Sequence, residues 1–395
     1  MAIDKILLAP YWLALKARHH FYDKGWKKIV HPEIPTICIG NVTVGGTGKT
    51  PHTEMVVRML LGDGKWRESS IAILSRGYKR RSKGFQQVTA DGSAAEYGDE
   101  PLQMKKKFPQ VTVAVDRKRS EGCDFLAHPE KLATSKKGRK CVNRDFPAAD
   151  IVIMDDAFQH RSIEADLNIL LVDYARPVFK DMLMPLGHLR DLPERAAKAD
   201  VIIITKCPPY MDEWELEKWA VGLGLKNFSQ KTYTGINSEG REQILLFSCF
   251  DYVKPEPVFE KGNQRYTYGK RLILFSGIAN DKPLQQYLSS DYKIVRHFKF
   301  PDHHRFSKRN MVAINKASAE YPTAIIATTE KDSTRIADCR WMPESLKERM
   351  FRVPIVVRFI EPEMEGVFRS LLFGTLDKVA ARSGVPGENF VLGSD

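Results

Sequence analysis

Short apolar, β-branched segments alternate with segments of helical periodicity from the start of the chain to about position 230. The predicted strands are 35–39, 71–75, 111–115, 151–154, 167–172 and 201–205. Helical patterns at 50–61 and 117–126 separate several of these strands. Continuously apolar strands separated by helices are typical of a parallel sheet that is covered on both faces. The pattern therefore predicts an α/β domain with a mostly parallel sheet.

The alternation changes after about position 230. The apolar segment 244–250 is followed by Pro255 and Pro257, which favours an extended linker. Further along the chain, strands are predicted at 272–275, 293–297 and 324–327, and helices at about 307–318 and 362–373. We therefore expect a second, smaller α/β domain. The predicted division is an N-terminal segment (1–30), a first domain (31–235), an extended linker (236–270) and a C-terminal domain (271–395).

The N-terminal segment combines an apolar run at 6–15 with six Lys or Arg and two Asp. Aromatic residues are interleaved with the cations, among them Trp12 and Trp26. This composition suits a helix at a bilayer interface, and it equally suits a helix packed on its own domain. The run is shorter than the roughly 20 apolar residues that span a bilayer, and no small-residue cleavage site follows it. We predict neither a transmembrane helix nor a signal peptide.

The formal net charge of +12 favours anionic partners, which include nucleotides, nucleic acid and anionic lipid. The six cysteines are scattered without a C-x-x-C pair, so neither a disulfide framework nor a zinc site is expected. The basic segment 131–144 fits a solvated loop or a contact with an anionic surface. Because no basic helix carries base-reading side chains, we predict no nucleic-acid partner.

The strongest motif, residues 40–51, lies between the first predicted strand and the first predicted helix. Glycines allow a backbone to curl so that its N–H groups face phosphate oxygens, and the helix N-terminus adds partial positive charge. Lys49 is placed to reach the β- and γ-phosphates, and the Thr50 hydroxyl is placed to ligate Mg²⁺. The predicted nucleotide-binding residues are Thr43, Val44, Gly45, Gly46, Thr47, Gly48, Lys49 and Thr50.

Two carboxylates, Asp155 and Asp156, follow the apolar strand predicted at 151–154. A strand that ends in Asp beside a phosphate loop is typical of a Mg²⁺ site, and two adjacent Asp also occur in a simple turn at a strand end. Thr43 departs from the strict G-x-x-x-x-G-K-[ST] pattern, which has glycine there. Val44 argues against the dimeric switch ATPases, which have Lys at that position of the loop.

Taken together, these motifs resemble the tetraacyldisaccharide 4′-kinase family of lipid A biosynthesis. The matching stretches are 40–51, 75–78, 98–101, 155–161, 183–191, 300–303 and 329–332. The resemblance implies a P-loop kinase fold and transfer of the ATP γ-phosphate to the 4′-hydroxyl of a lipid-linked tetraacyldisaccharide 1-phosphate, giving lipid IV-A. It further implies Mg²⁺ as a cofactor. Together with the basic N-terminus, it implies that the enzyme binds anionic lipid and acts at the cytoplasmic face of the inner membrane.

The same resemblance implies roles for individual residues. Asp99, assisted by His303, would take the proton of the acceptor hydroxyl. Lys49, Arg76 and Arg190 would stabilise charge on the phosphoryl group, although either arginine also fits a surface ion pair. The predicted metal ligands are Thr50, Asp155, Asp156 and Asp191, the last where the family often has Glu. The resemblance assigns no chemistry to 329–332.

Two other functions remain open at this point. A soluble kinase or nucleotide hydrolase of the same phosphate-loop class would fit the motifs but has no use for an interfacial N-terminus. A nucleic-acid-binding protein would fit the net charge, yet the cations concentrate in the N-terminal segment and in 131–144.

Overall fold

Two β-sheets organise the chain, which a computed structural model describes over residues 2–302 and 304–383. Within these residues the larger sheet has eleven strands and the smaller has five. The strands are β1 (Thr36–Gly40), β2 (Ile71–Ser75), β3 (Gln86–Gln87), β4 (Thr112–Val115), β5 (Ile151–Asp155), β6 (Leu167–Asp173), β7 (Val201–Thr205), β8 (Lys226–Ser229), β9 (Thr234–Ile236), β10 (Glu242–Tyr252), β11 (Glu256–Pro257), β12 (Arg271–Ser276), β13 (Lys293–Lys299), β14 (Ile325–Thr329), β15 (Met350–Val353) and β16 (Ile355–Phe359).

The helices that cover these sheets follow the predicted alternation. They are α1 (Ala2–Asp23), α2 (Lys49–Gly62), α3 (Ala94–Tyr97), α4 (Asp99–Lys107), α5 (Arg119–Ala127), α6 (Lys131–Thr134), α7 (Glu213–Gly222), α8 (Lys282–Asp291), α9 (Lys308–Glu320), α10 (Glu330–Ala337), α11 (Glu344–Lys347) and α12 (Pro362–Ser383). The helices predicted at 50–61 and 117–126 are α2 and α5, within a few residues at each end.

The larger sheet has the strand order β3-β4-β2-β5-β1-β6-β7-β10-β9-β8, and β16 pairs with β10. From β4 to β10 all neighbouring strands are parallel, whereas β3, β8, β9 and β16 pair antiparallel. The parallel strands β1, β2, β5 and β7 are buried along their full length, as expected for strands covered on both faces. The predicted mostly parallel sheet and the second, smaller sheet are confirmed.

The chain passes from the larger sheet to the smaller one and then returns. The first half of β10 pairs with β7, and its second half pairs with β16, which follows the last strand of the smaller sheet. After β16, helix α12 packs Met364, Phe368 and Leu372 into the core of the larger sheet. The segment predicted as a linker, 236–270, therefore contains strand β10, and the segment predicted as the second domain returns residues 355–383 to the larger unit. The domain boundaries themselves stay a prediction.

Helix α1 packs one side against the larger sheet and exposes another. Leu15 is buried in the core of this sheet, and Leu8 packs against the same core. Tyr11, Trp12 and Leu13 are exposed, Leu13 at 57%. The packed-helix interpretation therefore holds for one side, while the interfacial role of the other side stays a prediction. Within the described parts of the chain, no helix combines the length and apolar character needed to cross a membrane.

Candidate active site

The phosphate loop and the paired aspartates meet at one edge of the larger sheet. Strands β1 and β5 are parallel neighbours whose register places Ile39 beside Asp155. The loop that leaves β1 therefore curls next to the carboxylates that end β5. Gly45 and Gly48 have φ values of 102° and 88°, which L-residues rarely adopt. Gly48 precedes the first residue of α2, so the loop opens directly into a helix N-terminus.

Lys49, the first residue of α2, lies in a cluster of charges at this edge. Its Nζ is 3.6 Å from Asp156 Oδ1 and 3.4 Å from Asn41 Oδ1. Arg190 Nη2 donates to the same two atoms, at 2.6 Å and 2.5 Å. Burial opposes ionisation of Asp156, but Lys49 and Arg190 outweigh it and lower the pKa of this carboxyl. The structure thus brings together Lys49, Arg190 and Asp156, three of the residues assigned to the site in the sequence analysis, while their catalytic roles stay predictions.

Asp155 has a different environment from its neighbour. Its side chain is buried, Ser75 Oγ donates to Oδ2 at 3.4 Å, and Oδ1 has no hydrogen-bond partner among the described residues. Burial, followed by the nearby charges of Glu100 and Asp156, raises the pKa of Asp155 to about 7. A buried carboxylate oxygen without a donor, beside a second carboxylate, is suited to a cation. Thr50, the next residue of α2 after Lys49, is the other predicted ligand at this edge.

Arg119, which sequence reasoning missed, supports the turn that holds both aspartates. It is 1% exposed and donates from Nη1 to the carbonyl of Asp116 at 2.6 Å and from Nη2 to the carbonyl of Asp155 at 2.5 Å. These bonds stabilise a turn in which Asp156 adopts a φ of 51°. Nothing local in the sequence marks this arginine, because it lies within an ordinary predicted helix and bonds across the sheet.

Two further cations hold the loop from outside. Arg176 Nη1 donates to the carbonyl of Val44 at 3.1 Å, and Lys206 Nζ donates to the carbonyl of Gly46. Both cations also pair with Asp173, at 3.1 Å and 2.6 Å. These bonds satisfy two carbonyls of the loop and so hold the loop backbone in its curled shape. These residues end or follow β6 and β7, and the sequence predicted no role for them.

The start of the loop is paired with the segment around Arg190. The N–H of Val44 donates to the carbonyl of His188 at 2.8 Å, and the N–H of Arg190 donates to the carbonyl of Val42 at 2.9 Å. Thr43 is 2% exposed and forms a single bridge with Leu189. The structure therefore places Thr43 and Val44 in the anchored base of the loop, and the N–H of Val44 is already used.

Asp191 is not brought to the loop by any of its contacts in the described part of the chain. Its Oδ1 lies 2.6 Å from His19 Nε2 of α1 and accepts from the N–H of Leu192 at 2.9 Å. Burial would raise the pKa of Asp191, but the bond with His19 outweighs it and the pKa is lowered. These contacts explain the carboxylate at this position by a structural role, the bond between Asp191 and α1. Its role as a metal ligand stays a prediction that they do not support.

Arg76 follows β2 and is exposed at the same edge of the sheet. Burial, followed by the positive charges of Arg119 and Arg76, lowers the pKa of the neighbouring His160 to about 4. Arg76 is therefore within electrostatic reach of His160, and its role at the loop stays a prediction. Within residues 2–302 and 304–383, no group of three or more His, Cys, Asp or Glu forms a candidate metal cluster.

Asp99 is the first residue of α4, and its carboxylate faces the smaller sheet's unit. Arg335 of α10 donates to Asp99 Oδ2 from Nε at 2.7 Å and from Nη2 at 2.6 Å. Both residues line a cavity of about 320 Å³. Glu100, the next residue, is among the charges that raise the pKa of Asp155, so the start of α4 is within electrostatic reach of the loop edge. His303, the predicted partner of Asp99, lies outside the described residues.

Comparison with known proteins decides which kinase family this arrangement represents. The sequence model of the tetraacyldisaccharide-1-P 4′-kinase family matches residues 5–372. The chain belongs to the tetraacyldisaccharide 4′-kinase family. A tetraacyldisaccharide 4′-kinase of Phocaeicola vulgatus is 37% identical over 372 residues, which cover 92% of this chain and 93% of the relative. One from Parabacteroides distasonis is 34% identical over 385 residues, with 94% of each chain covered.

A solved member of the tetraacyldisaccharide 4′-kinase family has the same fold. The crystal structure of LpxK from Aquifex aeolicus, in complex with ATP, superposes with a TM-score of 0.64 at 25% identity. The match covers 94% of this chain and 99% of the other. The resemblance noted in the sequence is therefore confirmed over nearly the whole chain, and the protein is a kinase with a P-loop fold.

Proposed function

We propose that this kinase transfers the γ-phosphate of ATP to the 4′-hydroxyl of a tetraacyldisaccharide 1-phosphate and so forms lipid IV-A. The observation that carries the proposal is the convergence of Lys49, Asp155 and Asp156 around a glycine loop at one sheet edge, in a chain of this family. The first N–H groups of α2 have no intrahelical partner, so they supply donors for phosphate oxygens. Binding of ATP by a solved family member supports the same nucleotide here.

Mg²⁺ is proposed as the metal because the residues present fit it. The unpartnered Oδ1 of Asp155 and the carboxylate of Asp156 are hard oxygen donors, and Thr50 contributes a hydroxyl from the adjacent helix turn. When bound, the ion would neutralise charge on the β- and γ-phosphates. Asp191 completes the predicted set, although its Oδ1 is bonded to His19 of α1 and to the N–H of Leu192.

Lys49 and Arg190 are proposed to stabilise the charge on the transferring phosphoryl group. Both contact Asp156 Oδ1, so each lies at the edge where the loop is proposed to hold the phosphates. Arg76 is proposed as a third cation on the basis of its position after β2. Fixed cations at this edge act where water is partly excluded, which strengthens their effect on developing charge.

Asp99, assisted by His303, is proposed as the base that takes the proton of the 4′-hydroxyl. The cavity beside Asp99 gives this carboxylate an open side toward the sugar of an acceptor, and the effect of Glu100 on Asp155 supports a position of α4 near the aspartate pair. A sugar hydroxyl is a weak nucleophile, so a positioned carboxylate would contribute about 10²–10⁴ in rate.

The membrane site of action is proposed to be the cytoplasmic face of the inner membrane, reached through α1. Trp12 and Leu13 are exposed on a helix that is otherwise anchored to the core by Leu15. Lys16 Nζ lies 4.1 Å from the Trp12 ring centroid, so a cation accompanies the aromatic surface. Apolar insertion combined with attraction to anionic lipid is typical of interfacial helices.

The experiment that tests these roles measures phosphoryl transfer and ATP binding separately. Lys49→Ala is expected to lose about 10²–10³ in turnover, by analogy with a single oxyanion-hole donor. Asp99→Asn and His303→Ala are expected to lose turnover but to keep ATP binding, with a double variant little worse than the poorer single one. Lys131→Ala is a matched control, because it removes a half-buried lysine whose ion pair among the described residues is with Asp124, at 2.6 Å. Retention of more than half the turnover in Lys49→Ala would contradict the loop assignment.

A further inference from the structure

The stretch 329–332 is a rigid corner that opens helix α10. The Thr329 hydroxyl accepts from the N–H of Asp332 at 3.0 Å and donates to Asp332 Oδ2 at 2.7 Å. The N–H of Gly277, which follows β12, donates to the same Oδ2 at 2.8 Å. Asp332 is 0% exposed, and two donors from two strand ends, the Thr329 hydroxyl and the Gly277 N–H, hold its Oδ2 in place. The orientation of this carboxylate is therefore set by the smaller sheet.

Arg335 links the fixed carboxylate of Asp332 to Asp99, the first residue of α4. Its Nη1 donates to Asp332 Oδ1 at 2.8 Å, while Nε and Nη2 both donate to Asp99 Oδ2, at 2.7 Å and 2.6 Å. The arginine side chain is 6% exposed. A planar guanidinium with one end on Asp332 and one edge on Asp99 leaves little freedom to either carboxylate.

We infer that Arg335, held by Asp332, is a positioning residue that orients the carboxylate of Asp99 toward the acceptor hydroxyl and keeps it ionised. The inference rests on the proposed role of Asp99 as the base. It gives the family stretch 329–332 a function, as the support of Arg335. Arg335 would act through Asp99, and not on the nucleotide or the transferring phosphate, while its side chain lines the same cavity.

A purely structural role, the joining of α4 to α10, is filled by other groups. Lys107 at the far end of α4 lies 2.7 Å from Glu330 of α10 and 2.5 Å from Glu54 of α2. Lys331 lies 3.4 Å from Glu100. Two further ion pairs thus connect the same helices, and Arg335 differs from them in that both of its α4 contacts fall on one oxygen of the proposed base.

The charged side chains that line the cavity around Asp99 are mostly positive, which favours the ionised form of this carboxyl. Lys79 lines the cavity from the loop after β2, the adjacent charge on α4 is Glu100, 3.4 Å from Lys331, and Asp332 shares Arg335 with Asp99. The charged groups that line the cavity on the smaller sheet's side are Arg305, Arg335, Asp338 and Arg340. Of the four, Arg335 has two hydrogen bonds to Asp99, so its loss should have the largest effect on the pKa of that carboxyl.

The test is Arg335→Gln, with Arg335→Lys as the conservative variant. We expect Arg335→Gln to lower kcat roughly 10- to 100-fold, because misplacement of a catalytic group by about 1 Å costs up to about 10² in rate. The acid limb of the kcat–pH profile should move to higher pH by about one unit or more, since a neighbouring Arg lowers an Asp pKa by roughly that amount. Arg335→Lys should lie between, with a smaller shift, and KM for ATP should change little in both variants.

Arg349→Gln is the matched control for loss of a buried arginine in the same unit. Its guanidinium donates to the carbonyls of Tyr321, Pro322 and Ala324, all on the smaller sheet's unit and away from Asp99. It should lower the melting temperature without moving the acid limb. If Arg335→Gln loses rate with an unmoved acid limb, as Arg349→Gln would, the inference is overturned. If Arg335→Gln fails to fold, an acid limb unmoved in Arg335→Lys overturns it equally.

The same set separates the inference from the function on which it rests. Asp99→Asn at full activity would remove Asp99 as the base and refute the proposed role directly. An inactive Asp99→Asn together with a wild-type Arg335→Gln would leave the base in place and refute only the positioning role of Arg335.

Discussion

Gly48→Ala tests whether the phosphate loop depends on the backbone shape seen in the structure. A Cβ at this position would lie 2.5 Å from the ring of Phe250, against an ordinary contact of 3.4–4 Å. The residue also has a φ of 88°. The left-handed conformation costs an L-residue about 1–2 kcal/mol, and forcing extra volume into a packed site costs typically about 1–3 kcal/mol. We therefore expect a destabilisation of roughly 2–5 kcal/mol.

Gly48→Ala should lower both the stability of the fold and its affinity for ATP. Phe250 belongs to the part of β10 that pairs with β16, so a shift of its ring disturbs the strand pair that leads to the smaller sheet. Thermal unfolding should show a melting temperature lower by several degrees. Calorimetry should show at least about a tenfold weaker Kd for ATP, since about 1.4 kcal/mol is tenfold.

Gly46→Ala provides the control within the same loop. A Cβ there would meet no atom within 4 Å, and the φ of Gly46 is not in the left-handed region. Its melting temperature should stay at or slightly above that of the wild type, because the unfolded chain loses freedom. If Gly48→Ala melts and binds ATP like the wild type, or if both variants are equally unstable, the backbone argument is wrong.

Three other predictions follow from buried or exposed side chains. Burial lowers the pKa of His52 from 6.5 to about 4. Between these pH values the unfolded chain binds a proton that the folded chain does not, so the free energy of unfolding falls as pH falls. His52→Gln should reduce the difference in this free energy between about pH 7 and about pH 4.5, measured by denaturant unfolding, and an unchanged difference would contradict the prediction. Trp12→Ala with Leu13→Ala should reduce flotation with anionic vesicles without lowering the melting temperature, whereas full flotation would place the attachment surface elsewhere. Arg119→Gln should lower both the melting temperature and the phosphoryl transfer rate, because it releases the turn of the aspartate pair; a wild-type rate would show that the turn does not need it.

The parallel strands and the phosphate loop could be predicted because their signals are local. The bounds predicted for 71–75 and 201–205 coincide with β2 and β7, since buried parallel strands are continuously apolar and end abruptly. Lys49 and the aspartate pair follow from strand ends that share one edge of a sheet. The contact of Lys49 with Asp156, at 3.6 Å, agrees with this topology.

The features that were missed depend on contacts between distant parts of the chain. The pairing of β10 with β16 joins segments between which the whole smaller sheet lies in the sequence, and the prolines after β10 suggested a linker instead. The contacts of His19 with Asp191 and of Arg335 with Asp99 span sequence separations of 172 and 236. In the sequence, His19 lies in a basic helix and Arg335 in an amphipathic one, so both are typical of surface residues. Their partners become visible only in the folded structure.

The most direct measurement incubates the purified protein with ATP labelled at the γ-phosphate, Mg²⁺ and a tetraacyldisaccharide 1-phosphate. We expect a bis-phosphorylated lipid that carries the label at the 4′ position, as located by NMR and mass spectrometry. We also expect Lys49→Ala to form this product at least about 10²-fold more slowly. Release of labelled inorganic phosphate without lipid product, or label at another position, would contradict the central claim.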